Sequence, residues 1–229
     1  MIHLDLFSGI GGFALAASWV WPDHEPVGFC EIDPFCQKVL NKHWPGVPIY
    51  DDIKKLKGSD FGTVDLLTAG YPCQPFSTAK RGVQGNTEDF SERVVEIIRE
   101  CKPRISTLEN VSEHAQKSIA KRLRDNGFGA FCRRYSAHQI GAWHKRNRWF
   151  VIAHPNDKGE FQSRFDAKMA ELQGMENRFW SCANYARTIR MDDGLSRGMD
   201  RTARLKALGN AIVPQVAERI FKAIRAGSQ

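Results

Sequence analysis

Short apolar runs alternate with longer amphipathic stretches along the first 150 or so residues. Ile2–Phe7, Pro26–Cys30, Val47–Tyr50, Val64–Ala69 and Arg104–Leu108 have the length and branched-residue content of buried strands. Phe13–Trp21, Pro34–His43 and Phe90–Cys101 carry the three-to-four spacing of helices, and Asp33-Pro34 supplies an N-cap followed by a first-turn proline. A basic helix over Ser112–Asn126 and strands at Gly127–Ser136 and Trp149–Ala153 follow. Strands alternating with helices predict an α/β fold with a doubly wound, mostly parallel sheet. The pattern then decays. Residues 156–200 are polar with scattered aromatics, and only a short helix near Arg164–Met175 is expected there. Order returns at Arg204–Pro214, and a helix over Gln215–Ala226 ends at Gly227. No internal repeat is visible.

The ends of the predicted strands carry the chemistry, as open α/β sheets require. After the first strand comes Ser8-Gly9-Ile10-Gly11-Gly12, a turn that lets backbone approach a ligand at a helix N-terminus. It is not the full dinucleotide fingerprint, and an ordinary structural turn is the other reading. Glu31 lies about 20 residues further on, where an acid accepts ribose hydroxyls. The third strand ends at Asp51-Asp52-Ile53. Each of these acids could instead be a helix cap. The fourth strand runs into Gly70-Tyr71-Pro72-Cys73-Gln74-Pro75-Phe76-Ser77, where two prolines stiffen a loop around one thiol. Cys73 reads as a nucleophile. The Gly-containing stretch after it, Thr78–Asp89, reads as a lid or as a plain surface connection. Glu109 closes the fifth strand beside the nucleophile strand and is a candidate acid or base. Arg146 and Arg148 have strand spacing and are expected to share one face.

Charge adds a partner class. The net charge is +7, and nine Lys/Arg against one acid fall between Lys117 and Arg148. A basic stripe on a near-neutral body fits a polyanion, with a solvated helix surface as the bland alternative. At 42% hydrophobic residues a packed core is feasible, and no apolar run is long enough to span a bilayer. The N-terminus lacks a basic leader region, so no export signal is expected. The six cysteines form no C-x-x-C pair, which fits a reducing cytoplasm and argues against a metal site. Apart from Cys73 they read as structural.

Taken together these residues resemble the DNA (cytosine-5)-methyltransferases, most like the small bacterial or phage-borne members, over roughly residues 1–153 and 201–226. Asp5–Phe13 is similar to the family's S-adenosylmethionine loop, Gly70–Ser77 to its nucleophile motif, and Leu108–Val111 to its catalytic Glu motif. Arg146-x-Arg148 is similar to the pair that steadies that Glu and the target base, and Gly209–Pro214 to the C-terminal motif that completes the cofactor pocket. The resemblance implies a fold of the S-adenosylmethionine-dependent methyltransferase type. Its catalytic residues would be Cys73, Glu109, Arg146 and Arg148. Its cofactor residues would be Phe7, Ser8, Gly9, Gly11, Gly12, Glu31, Ile32, Asp52, Ile53, Pro72, Asn210 and Ala211, with no metal.

The implied reaction moves a methyl group to C5 of a flipped cytosine in duplex DNA through a Cys73 adduct at C6, leaving S-adenosylhomocysteine. A cytoplasmic restriction–modification setting goes with it. Two departures stand out. His144 sits where the family has Gln, and residues 154–200 are a short irregular insert in place of a full target recognition domain. The expected division is a catalytic and cofactor domain over 1–153, a reduced recognition segment over 154–200 and a returning C-terminal motif and helix over 201–229. The short segment leaves open an RNA (tRNA) cytosine-5 methyltransferase, a non-catalytic DNA-binding or split-enzyme subunit, and a partner chain or oligomer that completes recognition.

Overall fold

A computed structural model describes residues 1–72, 89–142, 144–155, 159–173 and 207–228. Seven strands form one sheet: β1 (Ile2–Leu6), β2 (Glu25–Cys30), β3 (Ile49–Tyr50), β4 (Leu66–Ala69), β5 (Ile105–Asn110), β6 (Phe128–Ser136) and β7 (Asn147–Pro155). Their order is β3-β2-β1-β4-β5-β7-β6. β1 to β5 pair in parallel, whereas β7 runs antiparallel to both β5 and β6. The expected doubly wound, mostly parallel sheet is therefore present. The winding reverses between β1 and β4, so a crevice opens at their carboxyl ends.

Among the described residues the sheet is covered by the helices α1 (Gly12–Val20), α2 (Pro34–His43), α3 (Ser91–Cys101), α4 (Glu113–Asp125), α5 (Glu160–Gln173) and α6 (Pro214–Gly227). Neighbouring residues in a strand serve opposite faces. Leu66, Phe150 and Ile152 join α1, α5 and α6 in one cluster, while Leu67, Val151 and Ala153 join α3 and α4 in the other. A sheet buried on both faces explains why the strands read as continuous apolar runs. The Asp33 cap holds, its Oδ1 accepting from the Phe35 amide at 2.9 Å.

The structure departs from the sequence pattern at α5. The short helix expected near Arg164–Met175 is present but starts earlier and has 14 residues. Phe161, Phe165, Met169 and Leu172 repeat on it at helical spacing and are buried, so two of the scattered aromatics belong to one stripe. It packs on α6 within the core. The remainder of the 154–200 segment lies mostly outside the described residues. At the other end, Gly227 is the last residue of α6 and not a stop beyond it: a Cβ there would stand 3.1 Å from the Phe161 ring.

A polar chain runs through the centre of β1. His24 Nε2 meets His3 Nδ1 at 2.9 Å, His3 Nε2 meets Thr68 Oγ1 at 2.7 Å, and Thr68 donates to Asp5 Oδ1 at 2.5 Å. With Thr68 donating to Asp5, its oxygen accepts from His3 Nε2–H, and His3 Nδ1 then accepts from His24. His3, Thr68 and Asp5 are fully buried, and Asp5 Oδ2 has no hydrogen-bond partner among the described residues. Burial pushes the Asp5 carboxyl up to about 7, with Thr68 opposing and Glu31 adding to the rise. Burial also holds His3 well below its usual range.

A carboxyl raised on folding stabilises the protein below its unfolded pKa, and that stabilisation is lost as pH climbs through the folded pKa. Asp5→Asn should remove this loss while keeping an acceptor for Thr68. The melting temperature of the variant relative to the parent should therefore rise between about pH 5 and about pH 8. A difference that stays flat over that range in thermal melts would show Asp5 to be ionised throughout.

Candidate active site

The turn after β1 is built around left-handed backbone. Phe7, Gly9 and Gly11 have φ of 53°, 54° and 82°. Phe7 does so without being glycine, a strain of about 1 kcal/mol. The turn is fastened by Ser8, whose hydroxyl donates to Asp5 O at 2.6 Å and whose amide donates to Cys30 O at 3.1 Å. Its glycines serve different ends. A Cβ on Gly11 would stand 2.4 Å from the Trp44 ring, and one on Gly12 would stand 2.2 Å from Ile212 Cγ2. Both are empty of side chain because protein fills the space. At Gly9 a Cβ would meet nothing within 4 Å, so of the three only Gly9 has room for a side chain.

Glu31 closes the turn from the neighbouring strand end. Its carboxylate accepts from the Gly9 amide at 2.7 Å and from the Asp33 amide at 2.8 Å. The acid foreseen as a ribose acceptor is thus already oriented by two backbone donors. Ile32 beside it is 78% exposed. Asp52 accepts from the Lys54 amide at 2.9 Å, and Ile53 is buried in the core.

Glu109 sits on the other side of the crevice, near the end of β5. β7 runs antiparallel to β5, so β7 begins where β5 ends, and Arg148 reaches across from its second residue. Arg148 Nε stands 2.6 Å from Glu109 Oε1, an ion pair without the alignment of a hydrogen bond. Burial raises the Glu109 pKa, with Arg148 and then Arg146 pulling it back. Gly70 is the close neighbour, since a Cβ on it would lie 3.8 Å from Glu109 Oε2.

Three buried polar side chains absent from the sequence-based site fix this corner. Asn110 Nδ2 donates to Tyr71 O at 3.1 Å, and Tyr71 OH donates to Gln116 Oε1 at 3.2 Å. Gln116 Nε2 donates to Leu108 O and Trp149 O at 2.8 and 2.9 Å, tying α4 to β5 and β7. The signal existed: Gln116 is the one polar member of the buried stripe Gln116, Ile119, Ala120 and Leu123 on α4. Cys73 and the lid segment, apart from Asp89, lie outside the described residues. Pro72, the residue before Cys73, lines the crevice.

Arg146 does not join Glu109. Its Nη1 donates to Gly209 O at 2.9 Å and its Nη2 to Ala211 O at 2.8 Å. It stands one residue before β7, and it lines the adjoining cavity together with Arg148.

A cavity of about 440 Å³ unites Phe7, Gly9, Glu31, Ile32, Pro72, Glu109, Arg148 and Asn210. That volume suits a small-molecule ligand. An adjoining cavity of about 580 Å³ shares Arg148 and takes in Gly12, Arg146 and Ala211. Ser8, Gly11, Asp52 and Ile53 line neither. The basic stripe divides as well. On α4, Lys117 and Lys121 pair with Glu113 and Asp125, and Arg133 pairs with Asp166, whereas Lys145, Arg146 and Arg148 border the second cavity. Among the described residues no cluster of His, Cys, Asp and Glu could hold a metal ion, and no helix is long and apolar enough to cross a membrane.

A family model described as C-5 cytosine-specific DNA methylase matches residues 1–188. Type II methyltransferase M.CviJI of Paramecium bursaria Chlorella virus IL3A is 34% identical over 159 residues, 66% of this chain and 42% of that protein. Type II methyltransferase M.MspI of Moraxella sp is 31% identical over 169 residues, 69% of this chain and 40% of that protein. The chain thus spans less than half the length of either curated relative. Among solved structures, S. pombe Dnmt2 methyltransferase aligns with TM-score 0.62 at 22% identity, over 89% of this chain and 63% of that one. Entamoeba histolytica methyltransferase EhMeth aligns with TM-score 0.65 at 14% identity, over 100% and 99%. At these identities the structural likeness shows the fold.

The contact between Gly12 and Ile212 yields a cycle. Gly12→Ala should destabilise the protein by about 1–3 kcal/mol through overpacking. Ile212→Ala in the same chain should recover part of that cost, giving a coupling of about 1 kcal/mol in urea unfolding. Additive effects would show that the two residues do not meet.

Proposed function

The chain belongs to the C-5 cytosine-specific DNA methylase family, and from that premise we propose that it transfers a methyl group from S-adenosylmethionine to C5 of cytosine in DNA, in the cytoplasm. One observation carries the reading. A single cavity is lined on one side by Gly9, Glu31 and Ile32 and on the other by Glu109 and Arg148, with Pro72 between them.

The first side fits the cofactor. Open space stands over Gly9, Glu31 offers an oriented carboxylate for ribose hydroxyls, and exposed Ile32 offers an apolar edge for the adenine. Asn210 would complete the pocket from the C-terminal segment. Bound there, S-adenosylmethionine supplies an electrophilic methyl group.

The other side serves the base. The Cys73 thiolate adds to cytosine C6, forming the Sγ–C6 bond. The C5=C6 electron pair moves toward C4, and N3 takes up a proton. Glu109, its pKa raised by burial, donates that proton and later recovers it. Arg148 holds O2 and limits how far the Glu109 pKa rises. After methylation the C5 proton is lost, the C5=C6 bond reforms and the thiolate leaves. The target base has to leave the duplex stack, at a cost of roughly a few kcal/mol. In this reading residues 1–153 and 201–229 make the catalytic unit. Target recognition falls to the 154–200 segment, of which α5 packs on α6, or to a partner chain.

Labelled S-adenosylmethionine offered with duplex DNA and with tRNA tests the proposal. Label should enter DNA and be trapped covalently on the protein when the cytosine carries fluorine at C5. Cys73→Ala should abolish both signals. Label in tRNA alone, or equal behaviour of parent and variant, would overturn it. Glu109→Gln should lower kcat by about 100-fold or more with a small change in cofactor KM. A mainly KM effect would remove Glu109 from proton transfer.

A further inference from the structure

Arg146 and Arg148 are separated by one residue, yet they serve different walls. Arg148 turns to Glu109. Arg146 turns to the segment that returns from the far end of the chain, and its fork spans Asn210 by binding the carbonyls on either side of it. Those carbonyls need donors. The Ala211 amide closes the last turn of a helical stretch onto Ala207 O at 2.9 Å, and the chain then leaves the helix before Pro214 opens α6. Carbonyls at a helix end have no continuing amides to take them up, and Pro214 has no N–H to offer. A planar guanidinium presents two donors to them in a fixed fork, whereas an ammonium offers rotatable donors from a single point. The base of Arg146 is itself anchored, since its carbonyl accepts from the Ala137 amide at 3.2 Å.

We propose that Arg146 is a positioning residue for the cofactor, a clasp that fixes the Gly209–Ala211 turn and thereby holds Asn210 at the cavity wall. The inference rests on the reading of that cavity as the cofactor pocket. Both terminal nitrogens donate to this turn, which holds the guanidinium against it. Arg148 acts on the base side, and Arg146 links that side to the cofactor side through the backbone they share.

The test uses the full chain and three variants: Arg146→Ala, Arg146→Lys and Arg148→Ala. S-adenosylhomocysteine affinity is measured by calorimetry, and amide exchange is followed over residues 208–213. Arg146→Ala should weaken S-adenosylhomocysteine by about tenfold or more. It should speed exchange across 208–213 and raise the cofactor KM by a larger factor than it lowers kcat. Arg146→Lys, which keeps the charge but loses the fixed fork, should fall between, and it carries the test if the alanine variant does not fold. Arg148→Ala should lower kcat and leave exchange at 208–213 unchanged. The clasp is overturned if Arg146→Ala binds S-adenosylhomocysteine like the parent, or if it loses kcat alone as Arg148→Ala does. A parent chain that takes up no S-adenosylhomocysteine overturns the cofactor reading of the cavity, a result distinct from either.

Discussion

A strand buried on both faces can carry a free polar side chain only where it ends. Helices on each side of this sheet leave the middle of β1, β4, β5 and β7 no contact with water. Charged groups that must meet a ligand are thereby pushed to one rim. Glu31, Glu109 and Arg148 line one cavity for this reason, although the first and last are 117 positions apart in the chain. The reversed direction of β7 matters as much as the parallel run. A seventh parallel strand would have placed its first residues at the opposite rim and left Glu109 without its cation. Burial and a nearby guanidinium pull the Glu109 pKa in opposite directions. A carboxyl held between those two influences can both give and take a proton.

Polar groups that stay inside the sheet are partnered, with few exceptions. Gln116 ties three elements to each other, and Asn110 pins the backbone just before Pro72. Such bonds are worth about 1 kcal/mol each when made and cost more when one partner is left alone. Their effect here is geometric. They fix the last described residues ahead of Cys73 against the strand that carries Glu109. The His24–His3–Thr68–Asp5 chain does the same for the strand that leads into the Phe7–Gly12 turn, and it leaves one carboxylate oxygen unmatched.

What could be read from the sequence was whatever depends on near neighbours. Strand and helix periods are local, and so is the habit of placing Glu31 or Glu109 directly after an apolar run. The cap at Asp33 was equally visible. What escaped needed partners far along the chain. Gly11 and Gly12 looked like ligand-facing glycines, yet Trp44 and Ile212 occupy their missing side chains. Arg146 looked like a twin of Arg148 because alternation puts them on one face; they do line one cavity, but their partners differ, Glu109 for one and the Gly209 and Ala211 carbonyls for the other. The α5 stripe was missed because Phe161, Phe165, Met169 and Leu172 are spread through charged residues that mask the period. The Gln116 network was hidden because one amide in an apolar stripe looks like noise until the carbonyls it serves are known.

The contact of Gly12 with Ile212 has a consequence for how the protein comes into being. The turn that follows β1 is made well before the segment that packs on it. Two hundred residues must be synthesised between them. Closing a loop of that length is entropically costly but only weakly more so than closing a shorter one, so the delay is set by synthesis and not by search. Until Ile212 and Asn210 arrive, the emerging chain can form its β–α units but holds an unfinished pocket. The units made earlier therefore have to persist without that segment and without α6, which closes one face of the core. Their early stability has to come chiefly from the face covered by α3 and α4.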